Sequence, residues 1–270
     1  MQKQQTNLVY LDNKLAQASH NLSLSEQRLV FLALSKTHQG YQRNLTKLEE
    51  AKHLYGAIQL EDLNMRVAGE DFDSTTKFTI KVHEYAETCG IRSVDARVEL
   101  QDACDTLLKR QVTLKEENGN SKKFHWIQGM EYNVSTDSVS FHWTIYIIPY
   151  IKDLQNYFTK LKLGKLLQLN STYSWKLYTI LCSKRGENKY VELKVSIEDL
   201  MFMLDVPESC KEFKHFNNLI LKKVTKEFVT KLKMENFSIE FKKEGRWVKW
   251  VVFKGFSIGD KGVKGVGKDV

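Results

Sequence analysis

The segment Phe78 to Ile91 aligns without a gap with Leu193 to Val206, 115 residues further along the chain. The likeness is one of pattern, not of identity. In the first copy a strand-like run, Phe78-Thr79-Ile80, leads into a short helix from Val82 to Cys89 that stops at Gly90. In the second, a strand from Tyr190 to Val195 leads to Ser196, a capping residue, and a short helix from Ile197 to Leu204 with Glu198 and Asp199 in its first turn. A longer helix follows each copy, one from Ser93 to Leu108 and one from about Glu212 to Lys231. A chain that repeats a supersecondary pattern is built from two like units, and this restricts its fold more than composition does.

The remaining segments fill in the units. Ser23-Leu24-Ser25-Glu26-Gln27 reads as a helix start, because Ser23 can cap and Glu26 can reach back to a free amide. The run Arg28 to Leu34 continues it as a core helix, and Tyr173 to Cys182 is its counterpart. In the first half strands are expected at Gln111 to Lys115 and Lys123 to Gln128, around the turn Asn118-Gly119-Asn120, with a further strand from Val139 to Ile148 ending at Pro149. In the second half they are expected at Phe237 to Lys242 and Trp247 to Phe253, joined by Lys243-Glu244-Gly245-Arg246. Leu54 to Leu63 reads as helical, and residues 1 to 7 as a loose lead-in. The order helix–strand–helix–turn–helix–strand–strand occurs twice. That order is a winged helix-turn-helix, whose third helix enters the major groove of DNA. The expected fold class is therefore α+β, two tandem winged-helix domains. The expected divisions are 1–150, 151–256 and a Gly- and Lys-rich disordered tail, 257–270.

Charge separates the two halves. Residues 1 to 149 carry 17 Lys and Arg against 19 Asp and Glu, a net of −2, whereas residues 150 to 270 carry 24 against 14, a net of +10. An ordinary solvated basic surface and a polyanion-binding surface both fit. Interleaved aromatics and the winged-helix order favour the polyanion. The four cysteines, Cys89, Cys104, Cys182 and Cys210, are widely spaced and form no C-x-x-C pair, which indicates reduced thiols rather than a disulfide framework or a zinc ribbon. No signal-like apolar core opens the chain, and no run of 18 apolar residues occurs. A cytoplasmic protein with no membrane partner is expected.

The long helix of the second half can be read at 100° per residue. Phe213, Phe216, Ile220, Val224 and Phe228 fall on one side, assigned to the core. Lys211, Lys214, His215, Asn218, Lys222, Thr225 and Lys226 fall on the other. Solvated helix faces usually mix signs, so this cationic face suits phosphates and base edges. Asn218 is the candidate base reader, because an Asn amide pairs bidentately with adenine N6 and N7, while Asn217 lies nearer the core edge. The hairpin around Gly245 forms a cationic wing in which Lys242, Lys243, Arg246 and Lys249 could straddle phosphates, although a merely solubilising hairpin tip also fits.

Several of these runs, in order, resemble a known family. Tyr157-Phe158-Thr159-Lys160 and then Ser171-Thr172-Tyr173-Ser174-Trp175-Lys176-Leu177-Tyr178 resemble a stretch of the bacterial plasmid replication initiators that bind iterons. Phe213 to Glu227 is similar to their recognition helix, the wing to their "K-K-x-G-R" turn, and Leu22 to Arg28 to their opening motif. The resemblance covers about residues 8 to 256. This chain departs from the pattern at His215, where the family often has an acid, and at Asn217, Asn218 and Leu219, where it has three basic residues. Those departures shift base reading from guanine toward adenine. Glu227 keeps the family's acidic position, and Phe228 and Val229 replace the usual Ile-Asn.

The resemblance implies a protein that binds repeated origin sequences as a monomer and represses its own gene as a dimer on an inverted repeat. It implies that the first domain supplies the dimer surface and auxiliary DNA contacts, here assigned to Arg92, Ser93 and Arg97. The second domain supplies most of the base reading. Implied partners are double-stranded DNA, a second copy of the chain and host replication proteins, with no cofactor. No phosphate-binding G-x-x-x-x-G-K-[ST] loop, zinc cluster or His-hydrophobic-His pair occurs, so neither ATP-driven unwinding nor metal-dependent DNA nicking is expected, and the chain reads as no enzyme. A winged-helix regulator with no replication role is the alternative.

Overall fold

The computed structural model describes residues 8–36, 77–116, 118–151, 154, 157–185 and 191–257. The expected lead-in (1–7), the expected helix from Leu54 to Leu63 and most of the expected tail lie outside them. Strand β1 (Leu8–Asp12) and the one-turn helix α1 (Asn13–Ala16) lead through β2 (Ser19–His20) to helix α2 (24–36). Its start is a reciprocal capping box. Ser23 Oγ accepts from the Glu26 amide at 3.2 Å, and the Ser23 amide donates to Glu26 Oε2 at 2.6 Å. Leu29 to Leu34 are all buried, as befits a helix at the centre of a core.

The internal repeat holds in three dimensions. In the first unit β3 (Lys77–Lys81) runs into α3 (Val82–Cys89), and α4 (Ser93–Leu107) follows. The turn between these helices places Gly90 at φ +67°, and the Ile91 amide donates to Ala86 O. In the second unit Asp205 takes the same left-handed conformation at φ +54°, and the Val206 amide donates to Met201 O, so the 115-residue offset is kept bond for bond. Asp is one of the few non-glycine residues that tolerate this region.

The first unit's strands differ from expectation. β4 (Gln111–Lys115) and β5 (Ser121–His125) form the expected hairpin, with Gly119 at φ +85°, but it joins its sheet through β4 pairing with β2 and not with β3. The strand expected from Val139 to Ile148 is shorter. It is β7 (Ser138–Trp143), partnered by β6 (Ile127–Asn133), which sequence reading ran partly into its predecessor. The sheet order is β3-β7-β6, with Phe78 opposite Phe141. The wing of the first unit is therefore the 127–143 hairpin, and the 111–125 hairpin is an insertion. Hydrophobic alternation marks a strand but does not name its partner.

In the second unit β8 (Phe158–Lys162) and α5 (Leu163–Leu166) precede α6 (Thr172–Arg185), β9 (Val191–Ser196) and α7 (Ile197–Leu204). A long helix, α8, follows from Phe213 to Lys231, and β10 (Ser238–Glu244) and β11 (Trp247–Phe256) complete the sheet β10-β11-β9. Here Leu193 faces Phe253, the counterpart of Phe78 facing Phe141.

The two units share one core. β1 pairs antiparallel with β8, Tyr10 opposite Lys160, so the start of the chain is stitched to the strand that opens the second unit. Phe31 of α2 packs edge-on against Trp175 of α6, with ring centroids 5.3 Å apart. Lys176, buried at this seam, donates from Nζ to His20 O at 2.5 Å, and Ser19 Oγ donates to Asp205 Oδ1 at 2.9 Å. Burial lowers the Lys176 ammonium to about 7.

Candidate nucleic-acid interface

Helix α8 has the core side expected from its sequence. Phe216, Ile220, Val224 and Phe228 are buried, and Phe213 is half-buried, with its ring 4.9 Å from Phe241 of β10. That aromatic contact fixes the start of the helix against the wing. The helix is not uniform, because Phe216 to Leu221 form a π turn, in which the Lys222 amide reaches back to Asn217 O. The widened turn carries Leu221 into the core beside Ile220.

The opposite side is cationic. Lys214, Asn218, Lys222 and Lys226 are exposed, and Asn217 is half-buried at the margin. Glu227, the helix's own acid, is turned away from this face: its carboxylate accepts from the Asn170 amide ahead of α6 at 3.2 and 3.3 Å. Acids do attend the N-terminal end, where Lys211 pairs with Glu208 at 2.5 Å and His215 Nδ1 lies 3.9 Å from Glu212. Among the described residues Lys214, Lys222, Lys223 and Lys226 make no ion pair, so the middle and end of the face hold uncompensated positive charge.

The wing turns at Gly245 and Arg246, with Gly245 at φ +62° and Glu244 opposite Trp247. Glycine at the first loop position suits a two-residue hairpin. Glu244 at the tip accepts from the Trp250 indole at 3.3 Å. Of the four predicted wing cations, Lys242 lies 3.6 Å from Glu192 and Lys249 lies 3.8 Å from Glu198. Such exposed pairs are weak and exchangeable for phosphate. Lys243 has no ion pair among the described residues, and Arg246 lies over the Trp247 ring at 5.0 Å.

The first-unit candidates sit differently. Arg92 makes two bonds to Asp95, at 2.7 and 2.9 Å, and Arg97 makes two to Asp137, at 3.0 and 2.8 Å. The Arg97 hydrogen bonds hold the Asp137 carboxyl down at about 2. Ser93 is the first residue of α4 and is exposed. Around it α4 shows Val94, Val98, Gln101, Asp102 and Asp105 to solvent, a mixture unlike the α8 face.

Three further exposed residues lie on this surface, and of these Lys223 was not singled out from the sequence. Lys223 is exposed because the core side of α8 is narrow, and the pair Lys222-Lys223 was its only signal. Leu219 is 48% exposed, and Trp247, at the wing tip, is 65% exposed. At 100° per residue Leu219 falls beside Lys226 and away from the core side, so its exposure was legible in the sequence although its apolar character kept it off the list of cationic candidates. We expect Lys243→Ala and Arg246→Ala each to weaken binding to a specific duplex and to random duplex alike, and to lower the slope of log K against log[salt] by about one. A variant that lost only specific binding would show that the wing reads bases.

Comparison with known proteins places this architecture. Residues 47–182 match the family described as initiator replication protein, WH1, and residues 196–254 match initiator Rep protein, WH2. A replication initiation protein of Escherichia coli is 25% identical over 185 residues, which are 67% of this chain but 56% of that relative's length. The Pi initiator protein, crystallised in complex with iteron DNA, is similar in fold, with TM-score 0.65 and 19% identity over 92% of this chain and 96% of its own. No helix among the described residues is long and apolar enough to cross a membrane. With both domain matches in order on two structurally repeated units, the chain belongs to the initiator replication protein family and carries its two winged-helix domains in tandem.

Proposed function

We propose that this chain is a plasmid replication initiator that binds iteron repeats in origin DNA through the exposed face of α8 and the 238–256 wing. The observation that carries the reading is the run of unpaired lysines on α8 beside the wing, with the helix's one acid turned elsewhere. Family membership and the iteron complex of the Pi initiator support it. In this reading residues 151–256 are the main DNA reader. Residues 1–150 provide self-association and auxiliary contacts, for which Arg92 and Arg97 would exchange their aspartates for phosphates and Ser93 would offer its amide and hydroxyl. A dimer on an inverted repeat represses the chain's own gene. Host replication proteins supply unwinding in the bacterial cytoplasm, and the chain itself catalyses no reaction.

Footprinting on the DNA flanking the gene tests this reading. Protection of several direct repeats of about 20 base pairs is expected, with a log–log salt slope of roughly −5 to −7 from six to eight phosphate contacts. Protection of a lone palindrome would favour a regulator without a replication role. A slope near zero would remove the electrostatic basis altogether.

A further inference from the structure

We infer that Leu219 reads a thymine methyl group in the major groove, which makes it a specificity-determining residue beside Asn218. The inference rests on the duplex-reading role of α8 proposed above. Leu219 is 48% exposed, and it is the large apolar side chain left exposed on α8. Leu219 lies within the π turn, and helical spacing alone already sets it away from the core side, toward Lys226. With Phe216, Ile220 and Leu221 all buried, the core side of that turn is filled, and the next side chain around faces out among Asn218, Lys222 and Lys223.

A ligand that covers this face must therefore meet an isobutyl group set within lysines and an amide. Phosphate oxygens gain nothing from such a contact. Of the groups that base pairs present in the major groove, the C5-methyl of thymine is the apolar one. Asn218 stands one residue earlier, about a quarter turn around the helix axis in this widened turn, and its amide suits adenine N6 and N7. An A·T pair presents both features on its major-groove edge. Asn218 and Leu219 together thus favour A·T pairs at the centre of the contact. Lysine neighbours add affinity without this preference.

The test uses the full chain and the repeat protected in footprinting. Each thymine of that repeat is replaced in turn by deoxyuridine, which removes only the methyl. Burial of one methyl corresponds to about a fourfold change in affinity. The wild-type chain should lose about fourfold at one thymine, or at two neighbouring ones. Leu219→Ala should bind the natural repeat more weakly, keep its affinity for random duplex, and show no loss at that thymine. Because Leu219 is half exposed, the variant should fold, and its retained random-duplex binding confirms this. If no deoxyuridine weakens wild-type binding, or if Leu219→Ala keeps the same methyl sensitivity, the assignment to Leu219 is wrong while duplex reading stands. If the wild-type chain protects no duplex, the reading of α8 falls and the role of Leu219 with it.

Discussion

Glu26→Ala should destabilise the folded chain by about 3 kcal/mol. Its side chain is fully buried, yet it accepts four hydrogen bonds from three groups. It accepts from the Ser23 amide at 2.6 Å, from the Thr106 hydroxyl at the end of α4, and from Arg110 Nε at 2.9 Å through both oxygens. Truncation leaves a partly buried guanidinium, an amide and a hydroxyl without this partner. Breaking a buried ion pair from one side costs about 3–5 kcal/mol, and the 27% exposure of the Arg110 side chain places the effect at the low end. Glu26→Gln keeps an acceptor for Ser23 and should cost less, about 1–2 kcal/mol. Chemical denaturation of the three proteins measures this. A loss under about 1 kcal/mol for Glu26→Ala would mean that the capping box and the link to α4 contribute little.

The second large effect is expected at Gly255. Its φ is +68°, and a Cβ there would lie 2.0 Å from Asn236 O and 2.5 Å from Asn236 C. The obstructing atoms are backbone, and they precede Phe237, which is buried and stacked on Phe253. They cannot swing aside as a side-chain tip would. Gly255 also sits where the β11–β9 register shifts between Phe253 and Phe256, so the bulge depends on it. Gly255→Ala should cost about 3 kcal/mol or more. Gly245→Ala is the control. It has φ +62° but nothing within 4 Å of its Cβ, and only the conformational cost of about 1 kcal/mol applies. Equal losses at the two glycines would show that the steric contact with Asn236 is relieved cheaply.

Much of the fold was legible because its signals are local. Ser23 and Glu26 announced a capping box, Gly90 a helix stop, and the 100° spacing of Phe216, Ile220, Val224 and Phe228 a buried side. Each is set by residues within a turn or two. The 115-residue offset was visible for the same reason, since both copies solve one local problem. What escaped was non-local. Nothing in Leu8 to Asp12 names Phe158 to Lys162 as its partner, and nothing local sends the β4–β5 hairpin to β2 and the β6–β7 hairpin to β3, because strand choice depends on the whole sheet. Among the candidate interface residues, charge was legible but its pairing was not. Lys242, Lys249, Arg92 and Arg97 find carboxylates contributed by residues up to 51 positions away, and Glu227 is drawn off by Asn170. The π turn has no periodic signature, whereas the outward placement of Leu219 does, because at 100° per residue it falls beside Lys226 and away from the core side.

The most direct test of duplex reading by α8 is the affinity of Asn218→Ala and Asn217→Ala for the protected repeat and a complete set of its single-base-pair substitutions. Asn218 is exposed in mid-face and Asn217 is half-buried at the margin. Asn218→Ala should lose about 1–3 kcal/mol of discrimination at one A·T pair and leave random-duplex binding nearly unchanged, while Asn217→Ala should act mildly at every site. If both variants discriminate among the substituted repeats as the wild-type chain does, the exposed face of α8 does not read the bases.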